Sequence, residues 1–412
     1  MVLMNTQTKD ANKEFELLTI GLILLLSNVS FYFLFGIIVR YAALLFGILL
    51  IFYAAWKRGK SYISKTAPLF LLFGIYFGLL GVLSFLQGHA VSYDYKKQIF
   101  SLIAFGCFCS GYLLAVSKSA NIQNFKSWKV RACTVITIFS MIGFIQYYES
   151  ISFHGTARGY GSDTALNPVG IAFLYTSLLL VFFILTILSR NIIDRILYAI
   201  AMILSAAVIV TTASRGALIW ATCTILFYFV SQRAKYFKFK NFLFVLIFSA
   251  IVFSSGAILF SNNIILGESI DILIKRFSSL LDVFNNSKVS QSDVSANARL
   301  YYWEYYFKNF SDWILFGEKN YVGYPHNQYL EILVRFGLLG IPLLLFSFYV
   351  IINLAKRFTR KLSVYDIEVS IILVVFLFSY LSSLSSLSLE VNRGLWLGLG
   401  YFAGYFNFAN LK

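Results

Sequence analysis

The chain has 412 residues, of which 59% are apolar and only 13% are charged, and its mean hydropathy is +0.76. Soluble domains contain about 45–50% apolar and about 25% charged residues, and a soluble domain of this length could not bury so much apolar surface. The composition also excludes disordered, collagen-like and disulfide-rich chains. It predicts an all-α, polytopic membrane protein, and the presence of only four prolines supports helices throughout.

Twelve apolar runs follow one another along the chain, each close to the ~20 residues that a membrane-spanning helix needs. We therefore expect a single integral membrane domain over 1–412 with about twelve transmembrane helices. The first run is interpreted as a retained span, since no cleavage site follows it. The runs lie near 17–36, 38–56, 67–87, 98–117, 132–149, 166–188, 197–213, 216–231, 242–261, 337–355, 368–388 and 394–410.

The formal net charge is +16, from 34 Lys and Arg against 18 Asp and Glu. In a soluble protein this excess would suggest nucleic acid as a partner. Here 18 of the 34 cations fall in five short loops on one side of the membrane, whereas the short loops on the other side contain very few. The positive-inside rule then predicts cytoplasmic termini, with membrane lipid and not nucleic acid as the partner. The five loops are 57–66, 118–131, 189–196, 232–241 and 356–367.

One segment on the opposite, outer side is long: residues 262–327. It contains two stretches with helical spacing, 271–284 and the aromatic-rich 298–310, joined by a polar stretch. Tyr and Trp prefer the membrane–water interface, so we expect a long periplasmic loop with interfacial helices. It has too little apolar surface for a core of its own and is predicted to act as a lid over a site.

Two arginines lie where the outer side of the membrane is expected. Arg215 falls in the two- or three-residue turn between two apolar runs, and Arg158 lies in a glycine-containing loop before Asn167 and Pro168. A cation near a membrane span is costly and is often functional, and a helix N-terminus beside an arginine suits an anion. The alternatives are an arginine that snorkels to the interface and an ordinary loop residue.

Arg299 and His326 are the other two candidate site residues. Arg299 begins the aromatic stretch, and His326 follows Pro325 shortly before an apolar run. A histidine at the mouth of the membrane can act as a base near neutral pH. The alternatives are a solvated surface arginine and a polar cap.

We expect no metal and no other cofactor. The outer loops contain no D-x-D, no pair of acidic residues and no H-x-x-x-H, which metal-dependent chemistry would require. The four cysteines all lie in apolar runs and are expected to be core residues without a disulfide or a metal. They are Cys107, Cys109, Cys133 and Cys223.

Four segments together resemble the O-antigen polymerase/O-antigen ligase superfamily (the Wzy and WaaL types). PHNQYLEILVRFGLLGI (325–341) is similar to the family's H-N-x-x-L-[EQ] signature, and TASRGALIW (212–220) is similar to its S-R-[GT]-A turn. TARGYGSDTALNPVGIA (156–172) resembles its R-x-x-G…N-P loop, although Val169 replaces the usual second asparagine. SANARLYYWEYYFKNFSDWILFGEKN (295–320) resembles its R-x-x-x-W helix. The resemblance covers about residues 130–400.

The resemblance implies a glycosyltransferase of the C type (GT-C) that works without a metal on the periplasmic face of the bacterial inner membrane. The donor would be a glycan on undecaprenyl pyrophosphate, and the acceptor a second lipid-linked glycan. Arg158, Arg215 and Arg299 would bind the pyrophosphate, and His326 would activate the acceptor hydroxyl. A protein that regulates chain length is a further expected partner.

The resemblance leaves two activities open. A polymerase would join repeat units, and a ligase would transfer the finished glycan to the lipid A core. The short connection from Phe316 and Gly317 to His326 and the high aromatic content favour the polymerase. From a different class, a flippase or transporter would carry its charges near the membrane midplane, and a non-catalytic scaffold would need none.

Overall fold

The computed structural model describes residues 2–86, 91–116, 127–153, 168–212, 214–231, 294–318, 325–358, 366–385 and 392–409. Throughout these ranges the regular structure is helical, without a strand, which confirms the all-α prediction. Two short 3₁₀ turns, Lys60–Tyr62 and Gly337–Gly340, connect α-helices. The α-helices are α1 Val2–Gly59, α2 Ile63–Leu86, α3 Val91–Val116, α4 Trp128–Phe153, α5 Pro168–Leu188, α6 Ile192–Thr211, α7 Arg215–Ser231, α8 Val294–Lys308, α9 Phe310–Trp313, α10 Gln328–Phe336, α11 Ile341–Phe358, α12 Ile367–Ser382 and α13 Arg393–Ala409.

The predicted spans fall on these helices, except for 242–261, which lies outside the described residues. Within the described ranges, six segments are long and apolar enough to cross a membrane, so the chain is a multi-pass membrane protein. One of the six, Ile38–Val82, is 45 residues long and contains one predicted span and most of the next. The total of twelve spans stays a prediction.

Large apolar side chains remain exposed on several helices. Leu71 and Leu72 on α2 expose 66% and 65% of their surface, and Leu102 on α3 exposes 71%. Exposing such a surface to water costs free energy, whereas exposing it to the hydrocarbon of a bilayer does not. These faces are therefore suited to contact with lipid.

The chain divides into two compact units, and the first contains Met1–Ala54, Ser119–Ser278 and Ser363–Phe378. Its helix α1 is broken at Gly36, where φ is +81°, and its two halves pack closely through Gly21 and Gly47. A Cβ on Gly47 would lie 2.8 Å from the Leu25 nitrogen and 2.9 Å from the Gly21 oxygen. Small residues thus allow two backbones to approach as they do between membrane helices.

Polar side chains join the other helices of the first unit. The hydroxyls of Ser30 on α1 and Ser140 on α4 are 2.6 Å apart. The guanidinium of Arg131 on α4 pairs with the buried Asp194 on α6 through two contacts of 2.6 and 3.0 Å. These contacts satisfy polar groups that would otherwise be costly to bury.

The second unit contains Ala55–Lys118, Ser279–Leu362 and Ser379–Lys412. Its centre is the packing of α3 against α13, where Gly111 faces the Leu397 carbonyl and Gly400 faces the Phe108 carbonyl. Aromatic rings surround this contact; those of Phe73 and Phe108 stack with centroids 4.5 Å apart. The same unit carries α8, which contains Arg299, and α9. Both precede His326 in the chain, and α10 follows it.

Candidate active site

The aromatic helix α8 is hydrogen-bonded to the segment that contains His326. The indole nitrogen of Trp303 donates a hydrogen bond of 2.6 Å to the carbonyl oxygen of Pro325. Arg299 lies four residues before Trp303 and therefore on the same face of α8. The spacing R-x-x-x-W thus puts Arg299 on the face of α8 from which Trp303 reaches Pro325.

His326 has an unusual backbone conformation. Its φ is +54°, and within the described ranges it is the one residue other than glycine with a positive φ. A left-handed conformation costs a residue with a Cβ about 1–2 kcal/mol. Strain of this kind persists where the surrounding structure enforces it and is concentrated at functional sites.

The imidazole of His326 is half-buried and electrically neutral at physiological pH. The pKa of His326 is lowered from its ordinary value of 6.5 to about 4, chiefly because burial disfavours the imidazolium ion and secondly because Arg299 is positively charged. The structure therefore brings together two of the four predicted site residues, Arg299 and His326. A neutral imidazole beside a guanidinium can accept a proton while the guanidinium binds an anion.

Asn327, directly after His326, fixes the start of α10. Its side-chain oxygen accepts hydrogen bonds of 3.0 Å from the backbone nitrogens of Tyr329 and Leu330, as an N-cap residue does. Its amide nitrogen donates to the carbonyl of Leu384, at 3.1 Å. The H-N pair of the sequence signature thus combines the candidate base with the cap of the helix that follows it.

A small hydrophobic core joins the helices that precede and follow His326. Tyr306 on α8, Trp313 on α9 and Val334 on α10 form a buried cluster with exposures of 0%, 1% and 0%. The turn after α9 is bonded to α10, since the Glu318 nitrogen donates to the Val334 carbonyl at 2.7 Å. The described part of the predicted lid therefore shares a core with α10, and its closure remains a prediction.

Gly337, at the end of α10, occupies a position where the backbone requires a glycine. It ends α10 with φ +54°, and a Cβ there would lie 2.5 Å from the carbonyl carbon and oxygen of Leu315. Only glycine allows the turn after α9 to lie so close to the end of α10. Leu338 then donates to the same carbonyl at 3.2 Å.

Arg215 is the first residue of α7, in the first unit, and is partly exposed. A cation at this position opposes the helix dipole, so it does not stabilise the helix and its role has to be found elsewhere. Arg158 and Asn167 lie outside the described residues, as do residues 262–293 of the long loop. Their assignments stay predictions.

Several residues of the site were not identified from the sequence. Asn392 contacts Gln328 across 64 positions of the chain, and Arg335 is a buried cation on α10. The structure pairs Arg335 with Glu331 at 3.3 Å, with both side chains buried. Their spacing of four residues on a helix was the available signal.

All four cysteines are free, and each is buried or partly buried. Among the residues that the structure describes, no group of three or more His, Cys, Asp or Glu side chains could hold a metal ion.

Comparison with known families gives a match to part of the chain. Residues 200–345 match the family model described as O-antigen ligase. The match supports a relationship to the O-antigen polymerase/ligase superfamily. No curated protein and no solved structure matches the chain. The matched O-antigen ligase domain includes Arg215, Arg299 and His326 and excludes Arg158 and Asn392.

Members of this superfamily are glycosyltransferase-like enzymes that act on lipid-linked glycans in a membrane, in agreement with the helical spans and the polar site described above. The family match does not separate polymerases from ligases.

Proposed function

We propose that the protein is a polymerase of undecaprenyl-pyrophosphate-linked repeat units and makes O-antigen or a related surface polysaccharide. The observation that carries the proposal is the placement of a neutral, strained His326 beside Arg299 in a domain of this superfamily. A lipid pyrophosphate is already an activated leaving group, so the reaction needs an anion-binding site and a base and no nucleotide.

The proposed reaction transfers one glycan to another. The acceptor hydroxyl oxygen forms a bond to the anomeric carbon of the donor, and the bond from that carbon to the pyrophosphate oxygen breaks. The leaving undecaprenyl pyrophosphate takes the electron pair, and His326 takes the hydroxyl proton. Attack opposite the leaving group would invert the anomeric carbon.

The arginines stabilise the negative charge that develops on the leaving group. Of the three arginines, Arg299 is supported most directly, because its charge lowers the pKa of His326. Arg158 and Arg215 are assigned the same role, since a guanidinium donates two parallel hydrogen bonds to phosphate oxygens. The pyrophosphate would also offset the charge of Arg299, which would raise the pKa of His326 and make it a stronger base.

We place the reaction on the periplasmic face of the bacterial inner membrane, with both termini in the cytoplasm. This orientation is supported by the concentration of Lys and Arg in the short loops on the other side. In this orientation segment 262–327 would face the periplasm, and we propose that it acts as a lid over the site. A chain-length regulator is the protein partner that this polymerase would need.

The second candidate function is the ligase reaction, after which the matched family is described. The same His326 and arginines would serve, because donor and leaving group are the same. Only the acceptor differs: a sugar of the lipid A core in place of a lipid-linked glycan.

A deletion strain separates the two functions. Its lipopolysaccharide, resolved on a gel, should show core with a single repeat unit if the protein is the polymerase. Core without any repeat, with glycan accumulating on the lipid carrier, would assign the ligase reaction instead. A wild-type ladder would contradict both.

A further inference from the structure

Asn392 joins three parts of the second unit. It lies directly before α13, with an exposure of 2%, and its side-chain oxygen accepts from the Leu395 nitrogen at 3.3 Å, which caps that helix. Its amide nitrogen lies 2.9 Å from the Ser379 carbonyl and 2.8 Å from the Ser383 hydroxyl, both near the end of α12. The same nitrogen lies 3.1 Å from the side-chain oxygen of Gln328.

Gln328 is the residue through which this network reaches the site. It is completely buried and lies two positions after His326. Its backbone nitrogen donates to the carbonyl of Ser383 at 2.8 Å, while its side chain accepts from Asn392. Its main chain is thus bound to the end of α12, and its side chain to the residue before α13.

His326 is therefore held from both sides. Before it, the carbonyl of Pro325 is bound by Trp303. After it, Asn327 and Gln328 are bound to Leu384, Ser383 and Asn392. A residue with φ +54° would relax if either side were released, because the ordinary conformation is about 1–2 kcal/mol more favourable.

We propose that Asn392 is a positioning residue that, through Gln328, holds His326 in its strained conformation and so directs the imidazole of His326 toward the acceptor hydroxyl. The structural half of the proposal is independent of the reaction, whereas its effect on turnover rests on the proposed function. Asn392 lies outside the matched family domain, so the domain depends on a residue 47 positions beyond its end.

An asparagine suits this position because it has an acceptor and a donor on one short side chain. The acceptor caps α13, and the donor reaches Gln328 as well as Ser379 and Ser383. Serine is also a good N-cap residue, but its hydroxyl is too short to replace the amide that reaches Gln328. The variant Asn392→Ser therefore separates the capping of α13 from the positioning of His326.

The test compares Asn392→Ser with Asn353→Ser in reconstituted full-length protein. Among the described residues, the side chain of Asn353, on α11 in the same unit, donates to the Tyr349 carbonyl one turn earlier, at 2.9 Å. Two quantities are measured: the steady-state kinetics, and the rate at which diethyl pyrocarbonate acylates His326, followed by mass spectrometry of its peptide. The second quantity reports the surroundings of the imidazole without requiring an active enzyme.

We expect Asn392→Ser to lower kcat by about tenfold to a hundredfold with little change in the KM for the donor, because a small displacement of a catalytic group has effects of this size. Acylation of His326 should become several-fold faster, since the imidazole is less restrained. Asn353→Ser should resemble the wild type in both measurements. An unchanged acylation rate in Asn392→Ser would overturn the proposal.

Gln328→Leu provides an independent variant should Asn392→Ser fold poorly. Leucine has a similar volume but cannot accept from Asn392, so it should give the same kinetic and labelling changes. In the double variant the two effects should not add, because both break the same contact. Additive effects would contradict the proposed route through Gln328. Faster acylation with full activity would support the positioning of His326 and refute its role as the base.

Discussion

The indole of Trp303 and the carbonyl of Pro325 are joined by a hydrogen bond of 2.6 Å. Because Arg299 lies one turn before Trp303 and His326 directly follows Pro325, this bond sets the register between the arginine and the histidine. The aromatic helix α8 is thus a fixed part of the site, in addition to its share in the core with Trp313 and Val334.

Trp303→Phe should lower activity by about tenfold, because the Pro325 carbonyl loses its donor and the histidine segment is released on one side. The matched control is Trp313→Phe, which removes an equivalent indole bond of 2.8 Å to the Tyr306 carbonyl. Both variants should lose about 1–3 kcal/mol of stability, the cost of an unsatisfied buried acceptor. Thermal unfolding and turnover are measured on both; equal activity in the two variants would contradict the special role of Trp303.

In a plot of kcat/KM against pH, the decline on the acidic side should occur near pH 4. The pKa of His326 is lowered to about 4, so the imidazole remains neutral, and able to accept a proton, well below the ordinary value of 6.5. Removing the charge of Arg299 with Arg299→Gln should move this pKa upward, which acylation of His326 at a series of pH values would detect. Lys308→Gln, which removes a cation paired with Glu304 on the same helix, should leave it unchanged. A wild-type decline near pH 6.5 would refute the effect of burial.

Arg215→Lys should reduce activity strongly although the positive charge is kept. Lysine offers a point charge in place of the two parallel donors with which a guanidinium holds phosphate oxygens. The polymer ladder of a complemented deletion strain measures the effect, with protein level in the membrane as the control. A ladder of wild-type length would favour the alternative interpretation, in which Arg215 only snorkels to the interface.

The contact between α3 and α13 predicts a difference between two glycines. A Cβ on Gly400 would collide with the backbone of Phe108, including its Cα at 3.0 Å, whereas a Cβ on Gly78 would meet no atom within 4 Å. Gly400→Ala should therefore destabilise the protein by about 1–3 kcal/mol or more. Gly78→Ala should be neutral or stabilising by up to about 1 kcal/mol, since alanine favours helices. Thermal unfolding in detergent compares them, and equal midpoints would disprove the close packing.

The helices and part of the site could be predicted from the sequence because their signals are local. Apolar runs predict helices wherever lipid is the solvent, and α8 was predicted over 298–310 and observed over Val294–Lys308. The resemblance grouped Arg299 with His326, and the structure places them together. The contact between Gln328 and Asn392 could not be predicted, because it joins residues 64 positions apart through the packing of three helices. The positive φ of His326 likewise depends on anchors that are distant in sequence.

The most direct test of the account is transfer by purified protein with lipid-linked repeat units as both donor and acceptor, in buffer containing EDTA. Wild-type protein should make polymer, whereas His326→Asn should be slower by about 10²–10⁴-fold, the usual contribution of a general base. Asparagine tolerates a positive φ, so this variant should keep its unfolding midpoint and isolate the loss of the imidazole. Polymer made by His326→Asn at the wild-type rate would contradict the central claim that His326 accepts the proton of the acceptor hydroxyl.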